Sequence, residues 1–298
     1  MEQQQKRYVQ KEWDVLGAAA CRHAGIRYDS LDVLVRWTEQ YCANAIYRID
    51  NNDYLKLFGP TATNQYHVER AMLELLAEND EIPAPKIVAA GQPPHARPYL
   101  ILTNIPGQTA EVVWDELPRD QQLAVADNFG EIIAALHALP GGKLVEVERR
   151  WGDRRQSAGQ FRDLLVDRIK ATDAVPERFR AAFVDYLEGE ASADVERATT
   201  VCHRELAHNH VYLARGNGAW KVSGIIDWAD GMRGPEEWDI AFIWFWMFSR
   251  DREAMSRFLA SRYGKSGAPA GLARRSLGAI LQMFEWHVFW EEIVERST

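Results

Sequence analysis

The stretch from Thr199 to Trp246 gathers most of the residues in this chain whose types can do chemistry. Two apolar runs, Thr199 to Cys202 and Val211 to Ala214, enclose a loop that holds His203, Glu205, His208, Asn209 and His210. A third run, Val222 to Ile226, ends directly in Asp227. A carboxylate at the end of a buried strand is costly unless it is paired or holds a cation, so Asp227 is the first residue to explain. Gly216, Asn217 and Gly218 separate the last two runs and suit a tight turn, which makes these runs the arms of a hairpin.

A loop followed by an apolar strand that ends in Asp is also the layout of phosphoryl-transfer sites. The segment His203-Arg204-Glu205-Leu206-Ala207-His208-Asn209-His210, followed by Ile225-Ile226-Asp227-Trp228, resembles the aminoglycoside phosphotransferase family. Members of that family carry His-Gly-Asp-Leu-His-Pro-x-Asn and then Val-Ile-Asp-Trp, and Asp239 also fits their pattern. The loop departs from it at two positions. Glu205 stands where the family has its catalytic Asp, and His210 where it has a metal-binding Asn, with Asn209 one residue early. The resemblance implies that Glu205 accepts or orients a substrate hydroxyl, that Asp227 binds Mg2+, and that His210 is the second residue on the metal side. Imidazole is a poor Mg2+ ligand, so a hydrogen bond from His210 to a metal-bound water is the alternative. His203 is expected to brace the loop.

The elements that must position these groups follow from periodicity and punctuation. Residues 8 to 25 read as an amphipathic helix that Gly25 stops. Leu31 to Glu39, Ala45 to Asp50 and Tyr54 to Phe58 read as strands, with a turn at Asn51-Asn52. The helix Asn64 to Glu78 follows, then strands Lys86 to Ala90 and Pro98 to Asn104. Lys56 lies mid-strand among apolar residues, either on a solvated edge or buried against a partner. By the resemblance it grips nucleotide phosphates and Glu69 positions it. The first turn carries Ala43-Asn44 where the family has Ser-Asn, which places Asn44 near the nucleotide. Leu102, Thr103, Asn104 and Ile105 form the expected hinge that meets the base of ATP or GTP.

Beyond Thr109 the pattern is helical. Gln121 to Leu139 is a long amphipathic helix, and His137 near its end is assigned no role. Residues 143 to 198 are charged and helical, interrupted at Trp151-Gly152-Asp153, where Asp153 faces a substrate or caps a helix. A helix is expected over Glu236 to Ser249, with Trp238, Phe242, Trp244, Phe245 and Trp246 forming a packed core rather than an aromatic ligand platform. The last helix, Gly271 to Val294, carries Glu285, Glu291 and Glu292, which either bind ammonium groups of a substrate or form a solvated face.

The expected fold is α+β: a bilobal, protein-kinase-like fold. An N-terminal five-stranded antiparallel sheet plus helix (residues 1–105) precedes a mainly helical C-terminal lobe (106–298). At 298 residues with 47% hydrophobic side chains, the chain is large enough for two such lobes and is not disordered. A net charge of −8 excludes a nucleic-acid binder and suits a cationic small substrate, or solubility alone. Cys21, Cys42 and Cys202 lack disulfide or metal spacing, and neither a signal stretch nor a membrane span is visible. A cytoplasmic monomer or weak dimer that contacts no membrane is therefore expected.

Lys56-Leu-Phe-Gly and the stretch from Pro98 to Gly107 are most similar to the hygromycin branch of the family. The implied activity is phosphoryl transfer from ATP or GTP, with Mg2+, to a hydroxyl of an aminoglycoside-type antibiotic. The sequence leaves two alternatives open: a catalytically impaired relative that only binds, and a housekeeping kinase of a sugar or amino alcohol.

Overall fold

The computed structural model describes residues 2–35, 44–50, 52–93, 96–151, 163, 166–167, 169–171, 176–189 and 200–283. The expected positions Ala43, Asp153, Glu285, Glu291 and Glu292 lie outside the described residues. The chain divides into two compact units. One comprises Met1–Pro106, Lys143–Gly152 and Gly224–Asp230, and the other Gly107–Gly142, Asp153–Ser223 and Gly231–Thr298. A single division at 105/106 misplaces two short segments, because each packs on the sheet unit although the chain reaches it from the helical one. Among the described residues no helix is long and apolar enough to cross a membrane.

The first unit is built on β1 (Leu31–Val35), β2 (Asn44–Ile49), β3 (Asp53–Phe58), β4 (Ile87–Gly91) and β5 (Tyr99–Thr103). They form one sheet in the order β1-β2-β3-β5-β4, every pair antiparallel. β2 and β3 are a hairpin that pairs Asn44 with Phe58 and Ile49 with Asp53. Its turn begins at Asp50, in the left-handed region at φ 48°. Alternation sends Ala45, Tyr47 and Ile49 of β2 and Leu55 and Leu57 of β3 into a core shared with Trp13, Ala20 and Cys21 of α1 (Glu2–His23). The intervening residues of β3, Lys56 and Phe58, are buried too, so this central strand is covered on both faces. The second face meets α2 (Thr63–Leu76), whose Tyr66, Glu69, Met72, Leu73 and Leu76 recur at helical spacing and are buried. Phe58 and Tyr66 meet edge to face, their ring centres 5.4 Å apart.

The second unit opens with β6 (Gln108–Thr109), α3 (Ala110–Val113) and α4 (Arg119–His137). α5 (Leu144–Trp151), which belongs to the sheet unit, and α6 (Glu177–Glu188) are the described helices of the charged middle region. β7 (Thr200–Cys202) pairs with β10 (Met232–Gly234), and β6, β8 (Val211–Gly216) and β9 (Ala219–Ile225) form a small sheet. Asn217 and Gly218, both at positive φ, turn β8 into β9.

The helix expected over Glu236 to Ser249 is not uniform. α7 (Glu237–Phe242) gives way to a π-helical turn, Ile243–Met247, closed by the bond from Phe248 N to Ile243 O at 2.9 Å. The wider turn sets the Phe242 and Trp246 rings 4.8 Å apart, and Ser249 and Arg250 end it at positive φ. α8 (Arg252–Tyr263) is capped by Asp251, whose carboxylate accepts from Glu253 N and Ala254 N. α4 and α8 cross closely at Gly130, where a β-carbon would stand 2.5 Å from Phe258 O. The described part of the last helix is α9 (Leu272–Met283).

Candidate active site

In the sheet unit, Lys56 is held between two carboxylates. Its Nζ lies 2.7 Å from Glu69 Oε2 and 2.7 Å from Asp227 Oδ1, and 5.4 Å from the centre of the Phe58 ring. The Lys56 and Glu69 side chains are only 7% and 2% exposed, whereas Asp227 is 37% exposed. The solvated-edge reading of Lys56 is thereby excluded. One ammonium serves two carboxylates, and the buried one is under-compensated: burial raises the Glu69 carboxyl to about 7, although Lys56 and the Trp228 N–H oppose the rise. Burial alone would lower the Lys56 ammonium, but Asp227 and Glu69 more than offset it and hold it above its ordinary range.

Local structure explains why Asp227 is presented. Ile225 N donates to Pro83 O at 2.8 Å, and the fully buried Trp228 ring donates from Nε1 back to Ile225 O at 2.8 Å. Asp227 sits between these anchors at φ 63°, a left-handed conformation that costs a non-glycine residue about 1 kcal/mol or more and persists only when its surroundings enforce it. At Gly224 a β-carbon would fall 2.4 Å from Ile105 Cγ2, so the strand and the hinge pack without room for a side chain there.

The hinge and turn expectations need refinement. The N–H groups of Thr103 and Asn104 already donate to Lys86 O (2.9 Å) and Asn52 O (3.1 Å). These two donors are committed to holding the start of β4 and the β2–β3 turn, and Leu102 is paired with both Tyr54 and Ile87 in the sheet. Asn44 opens β2, and its Oδ1 accepts from Gly59 N at 3.4 Å, fastening the two ends of the hairpin.

In the helical unit, the loop from His203 to His210 is wound around its own polar groups. Buried His203 accepts the Glu205 N–H at Nδ1 (3.1 Å), which is the bracing expected of it. His210 Nδ1 lies 2.9 Å from Glu205 O and donates to it, and its Nε2 lies 3.2 Å from Asn209 Nδ2. His208 Nδ1 reaches Trp246 O at 2.6 Å, tying the loop to the π-helical turn. Asp239 of α7 anchors the whole loop: it is fully buried and accepts the backbone N–H of His203 (3.1 Å) and of Arg204 (2.6 Å). His137 of α4 completes that carboxylate's shell, with Nε2 at 2.9 Å.

Sequence reasoning gave His137 no role. The structure makes it the third partner of Asp239, and only its position near the end of α4 hinted at this. Arg204 was likewise unassigned. It adopts φ 74°, a backbone suited to Gly, and its guanidinium covers the Trp238 ring at 4.7 Å. His137, Cys202 and Asp239 are close enough to suggest a cation site. Their hydrogen bonds argue otherwise, since Asp239 already serves three donors. Cys202 Sγ donates to Pro235 O at 3.4 Å, and burial keeps its thiol well above the ordinary range, so no thiolate is offered.

A sequence model of the phosphotransferase enzyme family matches residues 42–275. The chain belongs to this family. Among curated relatives, the aminoglycoside 3'-phosphotransferase of Streptomyces fradiae is 30% identical over 150 residues, which are 49% of this chain and 52% of the relative. The chain thus matches about half the length of that relative. Solved structures extend the likeness across the molecule. The GDP and kanamycin complex of an aminoglycoside phosphotransferase superposes with a TM-score of 0.67 at 16% identity, covering 91% of this chain and 90% of that one. The macrolide 2'-phosphotransferase MphH of Brachybacterium faecium gives 0.63 at 18%, covering 91% and 89%. A phosphotransferase in ternary complex with ADP and hygromycin B gives 0.58 at 15%, covering 94% and 92%. At such identities the likeness is one of fold. The expected five-stranded sheet with its helix and the mainly helical remainder are the fold that this chain has.

Proposed function

We propose that this protein transfers the γ-phosphoryl group of ATP or GTP to a hydroxyl of an aminoglycoside-type antibiotic and so confers resistance to it. The observation that carries the reading is the Glu69–Lys56–Asp227 arrangement, with Lys56 and Glu69 buried, Asp227 partly exposed and both ion pairs at 2.7 Å. Glu69 fixes an ammonium that stays charged, and such an ammonium neutralises phosphate oxygens. Catalysis of this kind rests on positioning and charge stabilisation, so a rigidly held cation is worth its burial. Glu205, on a loop anchored to Asp239 through two backbone N–H groups while His137 of α4 holds the same carboxylate, takes up the substrate hydroxyl's proton or orients it.

Mg2+ fits part of the residue set. Asp227 offers a partly exposed carboxylate of the hard-oxygen type that Mg2+ prefers, and would hold it. His210 does not fit as a ligand: its Nδ1 is committed to Glu205 O, and its Nε2 is an imidazole nitrogen facing Asn209. A bound Mg2+ would supply charge neutralisation on the phosphates.

Nucleotide consumption, with ATP and with GTP, measured across aminoglycosides, macrolides, simple sugars and amino alcohols tests the proposal. Hygromycin B heads the panel because of the hinge and Lys56 segments. An antibiotic-dependent turnover at least tenfold above background is expected. Turnover confined to sugars or amino alcohols, or absent throughout while nucleotide still binds, overturns it.

A further inference from the structure

The helical unit contains a cavity of about 620 Å3 between α7 with its π-helical turn, α8 and α9. That volume is within the range of small-molecule sites. Its wall is apolar: Trp244 and Phe245 of the π-helical turn, Met255 and Leu259 of α8, Leu272 and Leu277 of α9. Among the described lining residues, one hydroxyl side chain interrupts the wall. Ser276 lines the cavity, is only 7% exposed, and among the described residues its Oγ has no hydrogen-bond partner. Buried hydroxyls are ordinarily satisfied, so one left open in an apolar cavity asks for a partner that arrives from outside.

We infer that this cavity binds a neutral, largely apolar small molecule bearing a hydroxyl or carbonyl that pairs with Ser276. Among the described residues the wall carries no charged side chain, which matches neither the polyanionic nucleotide nor a polycationic aminoglycoside, so the cavity is a second site. It also has a mechanical link to the loop. Trp244 and Phe245 share their turn with Trp246, whose carbonyl accepts the 2.6 Å bond from His208. An occupant that braces the turn therefore braces the segment that carries Glu205. Binding stands independently of the proposed phosphoryl transfer, whereas any effect on turnover rests on that reading.

Equilibrium dialysis of the full chain against 2-naphthol, with naphthalene as the hydroxyl-free control, tests the site. Saturable binding of one 2-naphthol per chain is expected, with naphthalene about tenfold weaker, the usual scale for one neutral hydrogen bond. Ser276→Ala should bring the two probes to equal affinity without weakening naphthalene. Ser276→Phe should crowd the cavity beside the hydroxyl position and weaken both. The absence of saturable binding, or 2-naphthol affinity unchanged in Ser276→Ala, overturns the inference even if Ser276→Phe fails to fold. Hydrogen exchange of residues 203–210 should slow at least threefold on 2-naphthol binding to the parent, and unchanged exchange removes the link to the loop. This readout needs no activity, so a chain that turns over nothing would refute phosphoryl transfer while leaving the cavity decided on its own terms.

Discussion

Asp239 should prove the structural keystone of the helical unit, and its replacement gives the sharpest test of how the loop is held. It is 0% exposed and accepts three hydrogen bonds, from His203 N, Arg204 N and His137 Nε2. Hydrogen bonds to a charged group contribute roughly 1.5–3 kcal/mol each, but they share one acceptor and do not add freely. Removing one partner of a buried charged cluster costs about 3–5 kcal/mol, and Asp239→Ala is expected to fall in that range. At about 2–4 °C per kcal/mol for a domain of this size, the melting midpoint should drop by roughly 6–20 °C. Asp239→Asn keeps one acceptor oxygen and should lose about half as much.

The pH profile adds a second signature. Burial disfavours the His137 imidazolium, but its hydrogen bonds to Asp239 and then Glu236 outweigh this and raise its pKa above the ordinary 6.5. A raised value means that His137 contributes stability that is fully present below about pH 6.5 and is lost as the pH rises through the native value. This pH dependence should shrink in both Asp239 variants. Thermal melts from pH 5 to 9 on parent and variants make the measurement. A midpoint for Asp239→Ala within about 2 °C of the parent, or an unaltered pH profile, would refute the anchoring role.

The remaining predictions concern the groups proposed to act. Asp227→Asn should abolish Mg2+-dependent turnover while leaving the far-ultraviolet circular dichroism unchanged; undiminished turnover sinks the assignment. Glu69, raised by burial from 4.5 to about 7, binds a proton more tightly in the folded state, so the stability it contributes is present below about pH 4.5 and lost as the pH rises through 7. Glu69→Gln should flatten that part of the urea-midpoint profile, and an identical profile would show that Glu69 is not under-compensated. Glu205→Asp retracts the carboxylate by about 1.5 Å, the length of one bond, and should lower kcat about a hundredfold. Combined with His210→Asn it should remain slower than the parent, and a faster double variant would mean that the loop is a decayed form of the family pattern.

Much of this was legible in the chain itself. Apolar patterning marked the five strands, helical spacing marked α2 and α4, and Asn-Asn or Asn-Gly marked the hairpin turns, because each signal is written within a few consecutive residues. The candidate catalytic residues were proposed for the same reason: Glu205 and His210 share one loop, and Asp227 follows a short apolar run. Boundaries were less exact, as at α7, where the run of aromatics reads as one helix but packs as an α-helix followed by a π-turn.

Tertiary structure decided who partners whom. Glu69 was expected beside Lys56, but Asp227 is 171 residues from Lys56 in sequence, and only the return of Gly224–Asp230 to the sheet unit places one ammonium between two carboxylates. Asp239 and His137 carry no local sign of being partners, yet together they hold the loop, and Arg204 takes a left-handed backbone that its own side chain disfavours because Asp239 and Trp238 hold it there. A sequence records the preferences of each segment, whereas burial of a charge is tolerated only when a specific partner arrives from elsewhere in the chain, and that encounter exists only in the folded molecule.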